Sequence, residues 1–311
     1  MNVWLWHVHG SWTTAFVQGH HEYFVPVTPD RGPEGRGRAR TWDWPASVHE
    51  VPAATARDVP VDVVVMQRPE ELRHGVNDWL GRRPGIDVPA VYVEHNTPQG
   101  RVDDMRHPAA DRADVVVAHV TQFNALFWDT GRAPTTVIEH GIVDPGHRYT
   151  GELARAAVVM NDPQRRGRVV GADLLGRFGS ACPLDVYGMR SELVCGLGDL
   201  PQDEMHTQMA RRRVYLHPFR WTSLGLSLIE AMHLGLPVVA LGTTAVPEAV
   251  PAEAGVVSTD IDELSVALRT FVAEPDWSRT TGAAARDYAL GAFGLDRFLD
   301  DWDLLLEEVA R

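Results

Sequence analysis

Residues 221–248 constrain the fold of this chain more than any other segment. They contain a loop around Gly225, a short helical stretch with Glu230 in its middle, and a Gly235-Leu-Pro stop. The residues that follow, 238–241, are all apolar, which is typical of a parallel strand covered by helices on both faces. A loop, a helix and a buried strand in this order predict an α/β fold.

Short apolar runs recur along the chain at the spacing of a doubly wound sheet. We predict strands at residues 3–8, 23–27, 62–66, 90–93, 115–118, 136–138, 156–160, 184–187, 214–216, 237–241 and 255–258. We predict helices at residues 172–178, 202–210, 226–233 and 262–273. The sequence Asp144-Pro-Gly-His breaks the pattern, so we place a domain boundary there and expect two Rossmann-like, doubly wound domains, 1–145 and 146–285. The tail, 286–311, is helical and has an apolar face that needs a surface to cover.

Composition excludes several classes of function. The formal charge of −13 argues against a nucleic-acid partner and an anionic membrane surface. The chain contains no lysine, which excludes a P-loop lysine and Schiff-base catalysis. Cys182 and Cys195 lack zinc-ligand spacing and are expected to be core thiols. With neither a leader pattern nor a long apolar run, we expect a soluble cytoplasmic protein whose oligomeric state the sequence leaves open.

The loop before Glu230 has the chemistry of an anion site. Thr222 or Ser223 can cap the helix, and the first main-chain amides of a helix point at an anion. These are the amides near Leu224, Gly225 and Leu226, and the missing side chain of Gly225 lets a ligand approach the main chain closely. Glu230, about one turn further on, can accept hydrogen bonds from two ribose hydroxyls.

Three motifs make the chain resemble GT-B glycosyltransferases, in particular the retaining, family 4-like group. Gly225-Leu-Ser-Leu-Ile-Glu-Ala-Met resembles the signature in which a Glu binds the ribose of a nucleotide sugar, and that Glu corresponds to Glu230. Val137-Ile-Glu-His-Gly-Ile-Val-Asp144 resembles the segment between the domains, with His140 where Asn is usual. Residues 157–175 resemble the strand, basic loop and helix in which an Arg and a Lys hold the diphosphate.

The chain departs from the family at the donor site. In the family, the signature begins with another Glu, eight residues before the ribose-binding one, and this first Glu contacts the donor sugar. Thr222 stands in its place here. The family's Lys can only be an Arg here. Arg165, Arg166 and Arg168 all lie in the matching loop, and the sequence leaves open which of them contacts the diphosphate.

The first domain also differs, because His9-Gly-Ser-Trp-Thr-Thr14 replaces the usual Gly-Gly acceptor loop. We expect His9, Ser11 and Trp12 to bind the acceptor, with Trp12 as a stacking face for a sugar. Gly10 and His95 are the predicted catalytic residues. His95 ends a strand where ligands bind, and the resemblance places it near the donor sugar or phosphate; a purely structural histidine is the equal alternative.

The resemblance implies two Rossmann-like domains facing across a cleft, with the tail, 286–311, packing back on the first domain. It also implies metal-independent, retaining transfer of a hexose from a nucleotide sugar, UDP- or GDP-linked, to an unidentified small-molecule or glycan hydroxyl. We expect no cofactor and no metal site, since fixed Arg side chains and helix amides can stabilise the leaving diphosphate. Asp260-Ile-Asp262 resembles a helix start, and Asp301-Trp-Asp303 a solvated helix face. Two alternatives stay open: a nucleotide-sugar epimerase of the same fold, and a weakly active or inactive nucleotide-sugar binding protein.

Overall fold

A computed structural model describes all 311 residues and divides them into two compact units. Unit 1 comprises Met1–Val143 and Leu295–Arg311, and unit 2 comprises Asp144–Gly294. Our sequence boundaries were 145 and 285. Residues 286–294 were assigned to the returning tail but lie in unit 2, because the helix Pro275–Ala292 (α10) continues through them before the chain turns at Phe293.

Unit 1 is built on a seven-stranded sheet in which every neighbouring pair is parallel. Its strands are β1 (Asn2–Leu5), β2 (Glu22–Val27), β3 (Val48–Pro52), β4 (Val63–Met66), β5 (Ala90–Glu94), β6 (Val116–His119) and β7 (Thr135–Val137). The order β3-β2-β1-β4-β5-β6-β7 reverses direction between β1 and β4. The carboxyl ends of β1 and β4 therefore form a topological switch point, where α/β folds bind ligands.

The helices of unit 1 cover this sheet. They are α1 (Gly10–Phe16), α2 (Val76–Leu80), α3 (Gln122–Phe127) and α11 (Leu295–Val309), with a π-helical segment at Glu71–Gly75. The core includes Trp4, Trp6 and Trp79, with Trp4 contacting both other rings. The ring of Trp302 on α11 packs edge-on against Trp12 and Phe16 of α1. Helix α11 is thus part of the aromatic core of unit 1.

Unit 2 has a five-stranded parallel sheet in the order β12-β11-β10-β8-β9. Its strands are β8 (Leu153–Val159), β9 (Leu184–Tyr187), β10 (Arg212–His217), β11 (Val238–Leu241) and β12 (Gly255–Ser258). All four residues of β11 are buried, as expected for an apolar strand with helices on both faces. The switch point lies between β8 and β10.

The helices of unit 2 are α4 (Pro163–Arg166), α5 (Leu175–Gly179), α6 (Gln202–Ala210), α7 (Leu226–Leu234), α8 (Val246–Ala249), α9 (Ile261–Ala273) and α10. The predicted helices at 202–210, 226–233 and 262–273 are confirmed within one residue at each end. Residues 172–178 are only partly α-helical, since a 3-10 turn, Ala172–Leu174, precedes α5. Gly171, at φ +73°, separates that turn from the preceding 3-10 segment, Gly167–Val170, because a left-handed residue cannot continue a helix.

Two local expectations were wrong. Only Cys182 is a core thiol, because Cys195 follows a short 3-10 turn and is exposed. The strand β3 was missed because His49 and Glu50 interrupt its apolar pattern. Glu50 lies there because it pairs through both carboxylate oxygens with Arg31, at 2.7 and 2.9 Å.

Candidate functional site

Three loops meet at the carboxyl edge of the unit 2 sheet, at its switch point. The Arg loop, residues 161–171, follows β8, and the loop of residues 218–225 follows β10. The amide of Arg220 donates to the carbonyl of Val169 at 2.9 Å, and the hydroxyl of Thr243, after β11, donates to the carbonyl of Phe219 at 2.7 Å. These bonds hold all three loops in one position relative to the sheet.

The amino terminus of α7 opens at this edge. Gly225 is the N-cap residue, and no side chain caps the helix. The prediction that Thr222 or Ser223 caps it is therefore wrong, because the helix begins later than either residue allows. Its first amides, at Leu226 and Ser227, have no intrahelical acceptor, as in any α-helix. They give this end of α7 a partial positive charge.

Gly225 is close-packed against a histidine of its own unit. A Cβ placed on Gly225 would lie 2.5 Å from Cε1 of His217, at the end of β10. His217 is fully buried, its Nε2 has no hydrogen-bond partner, and burial lowers its pKa to about 3. The absence of a side chain at 225 is thus required by packing, whereas the sequence suggested a close approach of a ligand.

Ser223 and Leu224 were also predicted to line the nucleotide site. The side chains of both are buried, and the carbonyl of Ser223 accepts a hydrogen bond from the amide of Ala245 at 3.3 Å. Leu226, at the start of α7, is half-buried. These residues therefore shape the backbone of the loop, and Leu226 stays nearest to its surface.

Glu230 lies on the buried side of α7 and not on its solvent-exposed face. Its carboxylate is 4% exposed and lies 3.4 Å from Nε2 of His206 on α6. The same nitrogen is 2.8 Å from the amide of Gln202. A buried carboxylate needs hydrogen-bond donors to be stable, so Glu230 is a strong acceptor for any donor that reaches it.

The three arginines of the Arg loop differ in their partners. Arg165 pairs with Asp162 at 2.9 Å and Arg168 with Asp173 at 3.0 Å, and both guanidinium groups are largely exposed. Arg166 is half-buried and has no carboxylate within ion-pair distance. Burial and the neighbouring Arg165 lower its pKa, yet an arginine stays charged at any physiological pH.

Arg165 lines a cavity of about 350 Å³ in unit 2. Asp162, Gln164, Arg190 and Leu193 line the same cavity. Both arginines there pair with Asp162, since Arg190 lies 3.2 Å from it. Arg165 is therefore engaged on this side of the loop, and Arg166 is the arginine whose charge is least neutralised.

In unit 1, three histidines gather near the switch point of the sheet. His9 follows β1, His95 follows β5, and His140 follows β7. The ring of His95 lies 4.1 Å from that of His9 and 6.3 Å from that of His140, measured between centroids. Burial, then His9 and His140, hold the pKa of His95 well below its ordinary value, and burial lowers the pKa of His140 to about 3. Both rings are neutral at pH 7.

Gln67, directly after β4, was not singled out from the sequence. Its Oε1 lies 3.0 Å from Nε2 of His95, and its Nε2 donates to the carbonyl of Trp6 at 2.8 Å. The available signal was its position, since Gln67 is the first residue beyond an all-apolar strand. Polar side chains at such strand ends are the ones that face ligands in α/β folds.

The predicted acceptor residues occupy different environments. Trp12 is fully buried, stacks on Phe16 and contacts the ring of His95 edge-on. The prediction that Trp12 offers a stacking face to a sugar is therefore wrong, because α1 directs it into the aromatic core. His9 is the N-cap residue of α1, and Gly10 and Ser11 are half-buried in its first turn.

The two acidic triplets have structural partners. Asp260 caps α9 by accepting from the amides of Asp262 and Glu263, as expected for a helix start. Asp303 lies 2.8 Å from His21 and 3.3 Å from His20, and these three residues form a group whose ligand atoms lie within 4.8 Å of one another. The distances are those of hydrogen-bonded pairs.

Sequence comparison matches residues 169–274 to the family described as glycosyl transferases group 1. Over 92 residues the chain is 30% identical to O-antigen chain mannosyltransferase B of Escherichia coli, a match that covers 29% of this chain and 24% of that protein. The matched family segment contains α7, Glu230 and part of the Arg loop. None of the helices combines the length and apolar character needed to cross a lipid bilayer.

Solved structures extend the likeness to both units. Sucrose-phosphate synthase from Thermosynechococcus elongatus aligns with a TM-score of 0.70 at 12% identity, over 99% of each chain. HepE from Anabaena, solved with UDP, aligns with a TM-score of 0.67 at 15% identity, over 99% of each chain. Staphylococcus aureus TarM aligns with a TM-score of 0.61 at 14% identity, over 78% of this chain and 55% of TarM. The predicted GT-B fold is confirmed, as is the resemblance to glycosyltransferases.

Proposed function

We propose that this chain, whose residues 169–274 match the group 1 glycosyltransferases, is a retaining enzyme that moves a hexose from a nucleotide diphosphate sugar to an acceptor hydroxyl without a metal. The observation that carries the proposal is the carboxyl edge of unit 2. There an arginine without a carboxylate partner lies in a loop that is bonded to the loop preceding α7. The amino terminus of α7 is uncapped, and the same helix carries the buried carboxylate of Glu230.

Each group has one role in this proposal. Arg166 and the first amides of α7 hold the diphosphate and stabilise the charge that develops as the glycosidic bond breaks. Glu230 accepts hydrogen bonds from the ribose hydroxyls. His95, in unit 1, contacts the sugar, and the leaving phosphate takes the proton of the acceptor hydroxyl. The fixed cations and amides supply the charge that a metal would otherwise provide, so we expect activity to persist in EDTA.

A nucleotide-binding experiment tests the donor site. We expect one of UDP, GDP and ADP to raise the melting temperature of the protein, as a ligand of the native state does. A charged hydrogen bond contributes about 1.5–3 kcal/mol, so Arg166→Gln should weaken binding of that nucleotide by roughly 10- to 150-fold in calorimetry.

Arg165→Gln and Arg168→Gln are the matched controls, because they remove the same charge from the same loop. Each already pairs with an aspartate, so we expect each to weaken binding less than threefold, in the range of a surface ion pair. Equal losses in all three variants would show that the loop acts only through its net charge. A loss confined to Arg165 or Arg168 would move the diphosphate to another side of the loop.

Thr222, where the family has a sugar-contacting Glu, favours one alternative, a nucleotide-sugar binding protein with little activity. Product analysis separates the two. The protein is incubated with candidate acceptors and with sugar conjugates of whichever nucleotide raises its melting temperature. A retaining transferase should give a product whose anomeric configuration matches that of the donor. Binding without transfer or hydrolysis would favour the binding protein, and an epimerised nucleotide sugar would favour an epimerase.

A further inference from the structure

We propose that Gln67 is a positioning residue that fixes the tautomer of His95, so that Nδ1 of the ring presents a lone pair to a substrate hydroxyl. The identity of that hydroxyl as a sugar hydroxyl rests on the proposed function. The placement of the proton rests only on the hydrogen bonds within unit 1.

The hydrogen-bond chain determines the proton by elimination. The carbonyl of Trp6 can only accept, so the Gln67 atom 2.8 Å from it must be the amide nitrogen. The amide oxygen of Gln67 therefore faces Nε2 of His95, at 3.0 Å. That oxygen can only accept as well, so Nε2 must carry the hydrogen.

Gln67 is held rigidly enough to impose this arrangement. Gln67 is only 2% exposed, and its main-chain amide donates to Oε2 of Glu71 at 2.6 Å. Glu71 is fully buried and also accepts from Nε of Arg68, at 2.6 Å. The main chain and the side chain of Gln67 are thus both fixed before any ligand binds.

The remaining nitrogen of His95 is available to a ligand. The ring is only partly buried, and Nδ1 has no hydrogen-bond partner in the structure. The titratable groups next to the ring are His9 and His140. Burial of the ring, and then these two histidines, oppose a positive charge on it. A neutral imidazole protonated at Nε2 accepts at Nδ1. It binds a hydroxyl donor and repels a phosphate oxygen, so of the two ligands expected from the sequence, the sugar is the one that fits.

Nitrogen NMR of the whole protein labelled with ¹⁵N-histidine tests the proton placement directly. The His95 signals are assigned by their loss in His95→Asn. We expect one protonated nitrogen, Nε2, and one unprotonated nitrogen, Nδ1, unchanged between pH 5.5 and 8. A hydrogen on Nδ1, or a ring that titrates near pH 6.5, would overturn the proposal whether or not the protein transfers sugars.

Gln67→Glu tests the positioning role. A carboxylate beside Nε2 stabilises the imidazolium, whose Nδ1 is a donor and cannot accept. We expect the pKa of His95 to rise in the NMR titration and kcat/KM to gain an acid limb, falling about tenfold per pH unit below that pKa. Gln18→Glu is the matched control, since the side chain of Gln18 bonds only to the carbonyls of Thr14 and Asp43 and its replacement should leave both measurements unchanged.

The two hypotheses fail separately. A protein with the expected tautomer and no transferase activity would contradict the proposed function and leave the role of Gln67 standing. An active enzyme whose pH profile is the same in Gln67→Glu and in wild type would contradict the role of Gln67. Should Gln67→Glu not fold, the wild-type spectrum still decides where the proton lies.

Discussion

Replacing Gly225 with alanine should destabilise unit 2 through a single steric contact. The backbone of Gly225 has φ −75° and ψ 121°, a conformation that alanine adopts without strain. The new Cβ would lie 2.5 Å from Cε1 of His217, which is closer than real Cβ atoms approach. His217 cannot swing away, because its ring is fully buried and packs against the ring of Phe219, with 4.3 Å between the centroids.

The size of the effect follows from overpacking. One extra methyl group in a tightly packed core costs about 1–3 kcal/mol. For a domain of this size each kcal/mol lowers the melting temperature by about 2–4 °C, so we expect a decrease of roughly 2–12 °C. Relief of the contact by displacement of α7 would also move its first amides, and binding of the nucleotide diphosphate should weaken.

A double-mutant cycle with His217→Ala identifies the contact, since a pair in direct contact shows a coupling energy. Thermal and denaturant unfolding should show that Gly225→Ala costs at least about 1 kcal/mol less once the ring is gone. Gly176→Ala in α5 is the control, because no atom lies within 4 Å of its added Cβ; there we expect a gain of about 0.5–1 kcal/mol. An unchanged melting temperature in Gly225→Ala, or an equal loss with and without His217, would refute the packing argument and return Gly225 to a role in ligand approach.

Three further results are expected. Glu230→Gln should weaken binding of a ribonucleoside diphosphate by about tenfold but hardly affect binding of its 2′-deoxy analogue, because the deoxyribose offers the carboxylate fewer hydroxyls. Calorimetry measures both affinities, and equal losses would remove Glu230 from the ribose site. Acidification from pH 6 to 4.5 should lower the free energy of unfolding by about 1.4 kcal/mol per pH unit for each histidine buried in its neutral form, because the unfolded chain binds a proton there that the folded chain does not. These histidines are His119, with a pKa of about 4, and His140 and His217, each with a pKa of about 3. Denaturant titrations measure the slope, and His217→Asn should reduce it; a slope that His217→Asn leaves unchanged would contradict the assignment. Iodoacetamide at pH 7 should modify the exposed Cys195 and leave Cys182 unmodified until the protein unfolds, because burial raises the pKa of the Cys182 thiol to about 11. Mass spectrometry of the peptides measures both labels, and modification of Cys182 in the folded protein would contradict the prediction.

The sequence predicted most of the fold because the local patterns agree with the global one. Eleven strands were expected, and each corresponds to a strand of the structure. The central strands were the easiest to predict, because a strand buried on both faces must be almost wholly apolar. The helix α7 was predicted at its observed position, but its N-cap was assigned to Thr222 or Ser223, since a capping serine two residues early satisfies the same pattern as an uncapped glycine. The direction of a side chain was harder to predict, as Trp12 shows: one turn of helix decides whether it faces a sugar or the core.

The site depended on information that a linear reading lacks. Gln67 and His95 are 28 residues apart and meet only because β4 and β5 are neighbours in the sheet. The preference for Arg166 over Arg165 and Arg168 likewise depends on Asp162 and Asp173, whose carboxylates neutralise two of three similar side chains. Composition could establish that every fixed cation is an arginine, but not which of them keeps its charge available.

This partial neutralisation determines how the proposed donor site should respond to salt. If all three arginines held the diphosphate, three screened charges would make affinity fall steeply with ionic strength. The structure leaves one half-buried guanidinium and the amides of α7, whose partial charges act only over short distances. Raising sodium chloride from 50 to 500 mM should therefore weaken nucleotide binding in wild type much less than it would weaken binding to a site with three exposed arginines. The same change should have almost no further effect in Arg166→Gln. A steep salt dependence that survives in Arg166→Gln would instead assign the diphosphate to Arg165 and Arg168, and would require their aspartate pairs to open when the donor binds.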